Sequence, residues 1–361
     1  MIKSLAKILS IFPPKAMHIL PPEMAHFVAM QLLKMGLVYT EEFHDKSLEQ
    51  NVFGLNFKNP VGMAAGFDKD AEAIKGLLAQ GFSHVEVGTV TPQPQSGNPK
   101  PRLFRLSEQK AIINRMGFNN KGLEHFISNL EDFQNSYSGD GIVGANIGKN
   151  KDTKNFIADY VMGFSKVYNN ADYVTVNVSS PNTEGLRDLQ HKQNLSELLS
   201  ALTTARVQCE KYFEKHTPIV LKIAPDLKGE DKKDIAEIAL EQGIDGLIVT
   251  NTTISRKGVA DKWRDEAGGL SGRPLFEMST QVLRDMYKFT EGKIPLIGVG
   301  GISNAEDAYA KIKAGASLVQ IYSAFIYQGF KLVSEINEGL KELLEKDGYA
   351  NISEAVGANA K

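Results

Sequence analysis

From residue 51 onward, short runs of β-branched and other apolar residues alternate with longer stretches in which apolar residues recur every three or four positions. The short runs are typical of buried parallel strands and the longer stretches of amphipathic helices, so the pattern predicts strands joined by helical crossovers. The runs that predict strands span residues 61–65, 84–90, 142–147, 173–178, 219–223, 246–250, 295–299 and 318–322. Helical patterns between them include residues 71–80, 195–213, 232–242, 276–289 and 305–314.

This succession of strands and helices predicts an α/β fold, a closed (β/α)8 TIM barrel with an N-terminal helical extension. An open, doubly wound parallel sheet is the alternative architecture. Residues 51–58 predict a short hairpin with a turn near residues 54–56, placed to close the N-terminal mouth of the barrel. The domains are then residues 1–40 for the extension and residues 41–361 for the barrel.

The first forty residues combine four lysines and a single acidic residue, Glu23, with many apolar residues. They predict two short helices, at residues 2–12 and 22–36. The second helix carries an apolar stripe of Met24, Phe27, Val28, Leu32 and Met35. Lys7 and a Pro-Pro pair interrupt the first apolar run, which argues against a secretory signal, and no run reaches the ~18 residues of a membrane span. The segment is a helical hairpin packed on the barrel, a membrane-surface element, or both.

The chain of 361 residues is 42% hydrophobic and 23% charged, which indicates a globular protein and excludes a disordered one. Its 41 basic residues against 43 acidic ones give a net charge of −2, so no basic surplus marks it as a nucleic-acid-binding protein. Its single cysteine, Cys209, cannot form an internal disulfide, and no Cys/His cluster has the spacing of a zinc site. These features fit a protein that faces the cytosol.

Polar residues recur at the C-terminal end of every predicted strand, where barrel enzymes place their chemistry. Turn formation explains some of them but not their repetition. Gly300, Gly301 and Ser323 follow the last two strands and offer backbone N–H groups for a phosphate. Lys222 lies within an apolar run, where a lysine is costly without a negative partner. It therefore predicts a function, either offsetting charge on a cofactor or forming a Schiff base.

Six motifs follow one another along the chain. They are AAGFDK at 64–69, GTVTP at 88–92, NRMGFN at 114–119, NVSSPNT at 177–183, GGLSGRP at 268–274 and GVGGI at 298–302. Together they resemble the dihydroorotate dehydrogenase family, and the resemblance covers nearly the whole chain from about residue 20. It implies a barrel that holds FMN and oxidises dihydroorotate to orotate in pyrimidine biosynthesis.

The resemblance also implies residue roles. Ser180 matches the general base of the quinone-linked class, with Thr183 as a candidate relay partner, whereas the soluble classes carry a cysteine there. Cys209 lies in a predicted helix and is interpreted as a structural thiol. The residues implied to bind the substrate are Lys69, Asn114, Arg115, Met116, Gly117, Phe118, Asn177, Asn182, Asn251 and Thr252. Those implied to bind FMN are Ala65, Gly66, Lys69, Thr89, Asn146, Asn177, Lys222, Thr250, Gly272, Gly301, Tyr322 and Ser323.

The quinone-linked class carries an N-terminal extension that the soluble classes lack. By resemblance, residues 1–40 form the mouth through which a membrane quinone approaches the flavin, with His26 and Arg105 near its head group. The expected location is peripheral, on the cytoplasmic face of the cell membrane. The small and polar residues of the loop 181–190 predict a lid over the substrate.

Two other functions stay open at the level of the residues. A Schiff-base aldolase would also use a barrel lysine and a phosphate site, but it would be colourless and would not need Ser180. A non-catalytic, membrane-associated barrel would keep the amphipathic segment but not the full set of amides. The absorption spectrum of the purified protein distinguishes both from a flavoenzyme.

Overall fold

The computed structural model describes residues 17–360 and contains short strands separated by helices. The strands are β1 (Gln50–Val52), β2 (Leu55–Phe57), β3 (Val61–Met63), β4 (His84–Val90), β5 (Leu103–Leu106), β6 (Ala111–Asn114), β7 (Ile142–Ile147), β8 (Tyr173–Asn177), β9 (Ile219–Ile223), β10 (Gly246–Val249), β11 (Gly269–Gly272), β12 (Leu296–Val299) and β13 (Ala316–Ile321). The α-helices are α1 (Pro22–Lys34), α2 (Ile74–Leu78), α3 (Leu123–Ser136), α4 (Phe156–Val167), α5 (Lys192–Phe213), α6 (Gly229–Glu241), α7 (Phe276–Phe289), α8 (Ala305–Lys313), α9 (Ser323–Gln328) and α10 (Leu332–Asp347).

Strands β3, β4, β7, β8, β9, β10, β12 and β13 pair in parallel, and β13 pairs with β3 to close a barrel. The predicted (β/α)8 barrel is therefore confirmed, and the open sheet is excluded. Nearly every residue of these strands is buried, because helices cover the outside of the barrel and side chains fill its interior.

The hairpin of β1 and β2 closes the N-terminal mouth of the barrel, as predicted. Its turn falls at Phe53 and Gly54, which both have positive φ (58° and 77°), so it is a two-residue turn that begins one residue before the predicted one. Val52 and Phe57 pack in one cluster with Tyr173 and other side chains of the barrel interior. Burying a side chain such as Phe57 contributes about 1.5–3 kcal/mol.

Three predicted helices begin elsewhere in the structure. Helix α2 begins at Ile74 and not at residue 71, because the buried Asp68 carboxylate accepts hydrogen bonds from the backbone N–H groups of Glu72 (2.9 Å) and Ala73 (2.7 Å) and holds them in a turn. Helices α5 and α6 each begin three residues before their predicted starts. Asp231 fixes the start of α6 by accepting the backbone N–H of residue 228 at 3.0 Å.

Strands β5, β6 and β11 form an antiparallel sheet that the sequence analysis did not predict. The sheet includes residues of two of the motifs singled out above, with Asn114 of β6 opposite Gly269 of β11. It lies beside the C-terminal ends of the barrel strands and turns these motifs toward them.

Helix α1 corresponds to the second predicted N-terminal helix, whereas the predicted helix at 2–12 lies outside the described residues. Helix α1 ends at Lys34, two residues before the predicted end, and Gly36 follows with a φ of 63° and an N–H that donates to the Leu33 carbonyl at 3.1 Å. The face of α1 that packs on the barrel contains Ala25, Met30 and Leu33. Of the predicted stripe, Leu32 also packs against the core, whereas Met24, Phe27 and Met35 are 53%, 62% and 59% exposed. None of the helices in residues 17–360 is long and apolar enough to cross a membrane.

Candidate active site

A cavity of about 890 Å³ opens at the C-terminal ends of the barrel strands, within the size range of small-molecule sites. It brings together most of the residues that the sequence analysis assigned to substrate or cofactor. The assigned residues that line it are Ala65, Gly66, Lys69, Thr89, Asn114, Met116, Gly117, Phe118, Asn177, Ser180, Asn182, Lys222, Thr250, Asn251, Thr252, Gly272, Gly301, Tyr322 and Ser323.

Strand register explains this convergence. In the parallel barrel Asn177 of β8 lies opposite Lys222 of β9, and Asn146 of β7 lies opposite Gly88 of β4. Residues that end different strands therefore share one layer at one end of the barrel.

Hydrogen bonds fix the orientation of the side-chain amides around the cavity. The Asn177 amide donates to Thr89 Oγ1 at 2.9 Å, and the Asn182 amide donates to Asn114 Oδ1 at 3.1 Å. The Asn251 amide donates to Ser179 Oγ at 3.0 Å. Such an array presents both donors and acceptors to a flat heterocycle with alternating C=O and N–H groups.

Ser180 lies just after β8 and is only 7% exposed. Its Oγ accepts the backbone N–H of Asn182 at 3.3 Å, which leaves the hydroxyl proton free to point into the cavity. Within residues 17–360 no hydrogen bond joins it to Thr183, which is buried outside the cavity lining. A relay through Thr183 therefore stays a prediction.

The loop 181–190 is tied down along its second half. Arg187 donates to the Ser179 carbonyl (3.0 Å), the Thr252 carbonyl (2.8 Å) and the Asp226 carboxylate (2.8 Å), and Leu186 is fully buried. Asn182, in the first half of the loop, is also bonded to Asn98 and Asn114, so the lid stays a prediction.

Lys69 follows β3 and is held by the turn that Asp68 forms. Its ammonium group donates to Asn119 Oδ1, and burial, with Arg102 nearby, lowers the pKa of Lys69 to about 7. Burial raises the pKa of Asp68 to about 6. An anionic ligand in the cavity would favour the charged form of Lys69.

Beneath the cavity lies an acidic residue that was not predicted from the sequence. Glu86 of β4 has no exposed surface, and its Oε1 lies 3.5 Å from Lys222 Nζ. Lys222 thus has the negative partner that its apolar surroundings demand. The same signal was present for Glu86, an acidic residue between two valines of a predicted strand.

The opposite end of the cavity is lined by backbone at glycines that leave no room for a side chain. A Cβ on Gly301 would lie 2.5 Å from Phe276 Cα, and a Cβ on Gly272 would lie 2.3 Å from the Lys110 carbonyl oxygen. Both residues also have positive φ. Close backbone approach with free N–H groups suits a phosphate.

Helix α1 forms one wall of the cavity and is joined to the barrel by ion pairs, Glu23 with Arg102 (2.6 Å) and Lys34 with Glu72 (3.0 Å). A second, mostly apolar cavity of about 100 Å³ lies against the same helix, and His26, Phe67 and Tyr322 line both cavities.

His26 and Arg105, the two predicted quinone-site residues, both line the smaller cavity. The His26 ring packs edge-on against Phe67, and burial lowers its pKa to about 4, with Lys69 adding to the effect. Arg105 donates to the backbone carbonyls of His18 (2.9 Å) and Leu20 (3.4 Å) and so braces the segment before α1.

Two assigned residues lie outside the cavity lining. Asn146 lies below the cavity, where its Oδ1 accepts a hydrogen bond from the Thr89 hydroxyl and its Nδ2 donates to Glu86 at 2.7 Å. The Arg115 side chain points away from the cavity, because its guanidinium pairs with Glu266 and covers the Phe104 ring at 4.6 Å. Neither the Asn146 nor the Arg115 side chain is therefore placed to contact a ligand in the cavity.

Comparison with known proteins gives consistent matches over the whole chain. The sequence model described as dihydroorotate dehydrogenase matches residues 47–344. The dihydroorotate dehydrogenase (quinone) of Parvibaculum lavamentivorans is 52% identical over 345 residues, which are 95% of this chain and 96% of that protein. The mitochondrial dihydroorotate dehydrogenase (quinone) of Mus musculus is 48% identical over 96% of this chain and 89% of its own length.

Solved structures agree with the sequence matches. A crystal structure of DHODH from Eimeria tenella in complex with ferulenol superposes with a TM-score of 0.90 at 44% identity, covering 94% of this chain and 96% of that one. A ligand-free structure of the same protein has a TM-score of 0.89.

Proposed function

The chain belongs to the dihydroorotate dehydrogenase family, and we propose that it oxidises (S)-dihydroorotate to orotate in de novo pyrimidine (UMP) biosynthesis, with FMN bound at the strand ends and a membrane quinone as final electron acceptor. The observation that carries the proposal is the large cavity, which places Ser180, Lys69 and Lys222 among a ring of asparagine amides. The Schiff-base aldolase alternative leaves Ser180 and that ring without a role.

The residues of the cavity fit FMN. The backbone cradle at Gly272 and Gly301 suits its phosphate, and the buried Lys222 suits a ring system that gains negative charge. When bound, FMN supplies a hydride acceptor. The residues expected to hold its ring and ribityl chain are Ala65, Gly66, Thr89, Asn177, Lys222 and Thr250; Tyr322 and Ser323 complete the phosphate end. Asn146 acts from below, through Thr89.

Ser180 is the proposed general base. Oxidation of a CH–CH bond removes a proton from one carbon and a hydride from its neighbour, so a base must face the flavin across the substrate. In this scheme Ser180 Oγ takes the substrate proton as its own hydroxyl proton passes onward toward solvent, with Thr183 as the predicted relay partner. The low exposure of Ser180 keeps bulk water away from the substrate during the transfer. The amides of Asn114, Asn182 and Asn251 hold the ring, and Lys69 balances the substrate carboxylate.

The test of this scheme is anaerobic stopped-flow reduction of the bound flavin by dihydroorotate. Ser180→Ala should slow reduction by about 10²–10⁴-fold, the usual contribution of a general base, while FMN content stays at that of the wild type. Ser180→Cys should retain some activity, with a pH profile shifted to more acidic values because a thiol ionises more readily. Reduction of Ser180→Ala at the wild-type rate would reject Ser180 as the base.

The quinone is proposed to approach through the smaller cavity beside α1. That cavity is mostly apolar and shares His26, Phe67 and Tyr322 with the larger one, which supports an electron path between two separate ligands. The exposed Met24 and Phe27 of α1 suit a lipid surface. The protein is therefore proposed to be a peripheral membrane protein on the cytoplasmic face of the cell membrane.

Measuring the two half-reactions separately tests whether the quinone and dihydroorotate use different cavities. His26→Ala should slow reoxidation of the reduced flavin by a short-chain quinone and leave reduction by dihydroorotate near the wild-type rate. His44→Ala, at an exposed histidine outside both cavities, is the matched control. Equal slowing of both half-reactions in His26→Ala, at normal flavin content, would mean that His26 only braces the fold.

A further inference from the structure

Four side chains converge on the buried Glu86 carboxylate beneath the larger cavity. Asn146 Nδ2 donates to Oε1 at 2.7 Å, and Gln320 Nε2 donates to Oε2 at 2.9 Å. The Tyr173 hydroxyl lies 3.3 Å from Oε2, and Lys222 Nζ lies 3.5 Å from Oε1. Glu86 and its partners thus form one buried polar layer under the site.

Glu86 decides how the Gln320 amide is oriented. An ionised carboxylate only accepts hydrogen bonds, so Gln320 must turn its NH₂ group toward Glu86 and its Oε1 away from it. Gln320 has no exposed surface, lines the larger cavity, and its Oε1 has no partner within residues 17–360. A buried carbonyl oxygen without a donor costs free energy, and a ligand donor that reached this atom from the cavity would remove that cost.

The position of Gln320 limits which donor reaches it. It lies on β13, two residues before Tyr322, so the two side chains leave the strand on the same face. The neighbouring strand β12 leads directly into Gly300 and Gly301, at the end of the cavity suited to a phosphate. The acceptor is therefore on the side of the cavity where the chain between a ring system and its phosphate would pass.

We propose that Gln320 is a further cofactor-contact residue, whose Oε1 accepts a hydrogen bond from a hydroxyl group of the ribityl chain. Glu86 is the positioning residue that orients it. The inference rests on the proposed binding of FMN, and no residue assignment made from the sequence includes Gln320 or Glu86.

The experiment measures the rate at which flavin leaves the holoenzyme on dilution. Wild-type and Gln320→Met proteins are reconstituted with FMN, with three analogues that each lack one ribityl hydroxyl, and with 3-methyl-FMN, which lacks the ring N–H. Thr175→Val is the matched control, because Thr175 Oγ1 is also buried and unpartnered within residues 17–360 but lies outside the cavity lining. Gln320→Asn is a second variant that keeps an amide facing Glu86.

Gln320→Met is expected to release FMN about tenfold faster than the wild type, a loss typical of one buried hydrogen bond. One of the deoxy analogues should leave the wild type about tenfold faster and show no further acceleration in Gln320→Met. Thr175→Val should release every flavin at the wild-type rate.

If Gln320→Met accelerates release of every flavin equally, Gln320 is only structural and the inference is wrong. If 3-methyl-FMN is the analogue that shows no further acceleration, the ribityl assignment is wrong. A wild-type protein that binds no FMN would overturn the proposed function together with this inference, whereas equal acceleration in a protein that does bind FMN overturns the inference alone.

Discussion

The Glu86–Lys222 pair allows a quantitative prediction of what burial does to an ion pair. Glu86 is fully buried, Lys222 is 5% exposed, and the charged atoms are 3.5 Å apart. With an effective dielectric constant of ~20, their Coulomb attraction is about 5 kcal/mol. Removing one partner leaves the other charge buried and uncompensated, so Glu86→Gln or Lys222→Met should each lower the free energy of unfolding by about 3–5 kcal/mol.

In the double variant the free energy of unfolding should fall by much less than the sum of the two single-variant losses, because no unpaired charge is left buried. Urea unfolding of the FMN-free protein, followed by circular dichroism, gives the coupling energy without a contribution from cofactor binding. The exposed pair Lys192–Asp234 is the control: its atoms are closer, at 2.8 Å, yet its coupling should be far smaller. Additivity of Glu86→Gln and Lys222→Met within about 0.5 kcal/mol would refute the argument.

Three further predictions concern single residues. Gly301→Ala should purify with little bound flavin by absorbance, because its Cβ would meet the Phe276 backbone; Gly229→Ala, where a Cβ meets nothing within 4 Å, should keep full flavin content. His26 has its pKa lowered to about 4 by burial, so quinone reoxidation should show no titration step near pH 6.5 between pH 5 and 8. Burial lowers the pKa of Lys311 in the folded protein well below its ordinary value of 10.5. Between the folded and unfolded pKa values, Lys311 is protonated only in the unfolded chain, so the free energy of unfolding rises with pH by up to about 1.4 kcal/mol per pH unit. Urea titrations between pH 8 and 10 should show a smaller slope for Lys311→Met.

The barrel was predictable because most of its strands are short apolar runs with polar or glycine residues at or shortly after their C-terminal ends. Parallel pairing then forces all the strand ends to one side, so residues as distant in sequence as Lys69 and Ser323 were assigned to one site before any contact was known. Exact helix starts were less predictable. The start of α2 depends on Asp68 binding two backbone N–H groups, a local bond that apolar periodicity does not record.

The antiparallel sheet was missed for a different reason. Strands β5, β6 and β11 are four residues each, and β11 pairs with β6 across more than 150 residues of sequence. A short strand has too few positions to show a period, and such a distant partner leaves no local signal. The direction of the Arg115 side chain was missed with it, because that side chain is set by Glu266 and Phe104.

The exposed apolar side chains of α1 are informative about function. The rule that one apolar stripe marks the packed face assumes that the other faces of the helix meet water. In α1 the packed face uses Ala25, Met30 and Leu33, and the stripe at Met24 and Phe27 is left exposed. Because large apolar side chains are unfavourable in water, the outer side of α1 at Met24 and Phe27 suits a second apolar environment. The wall of the cavity that holds His26 is formed by this same helix, so a lipid surface that covers the outer face would lie next to the proposed path of the quinone.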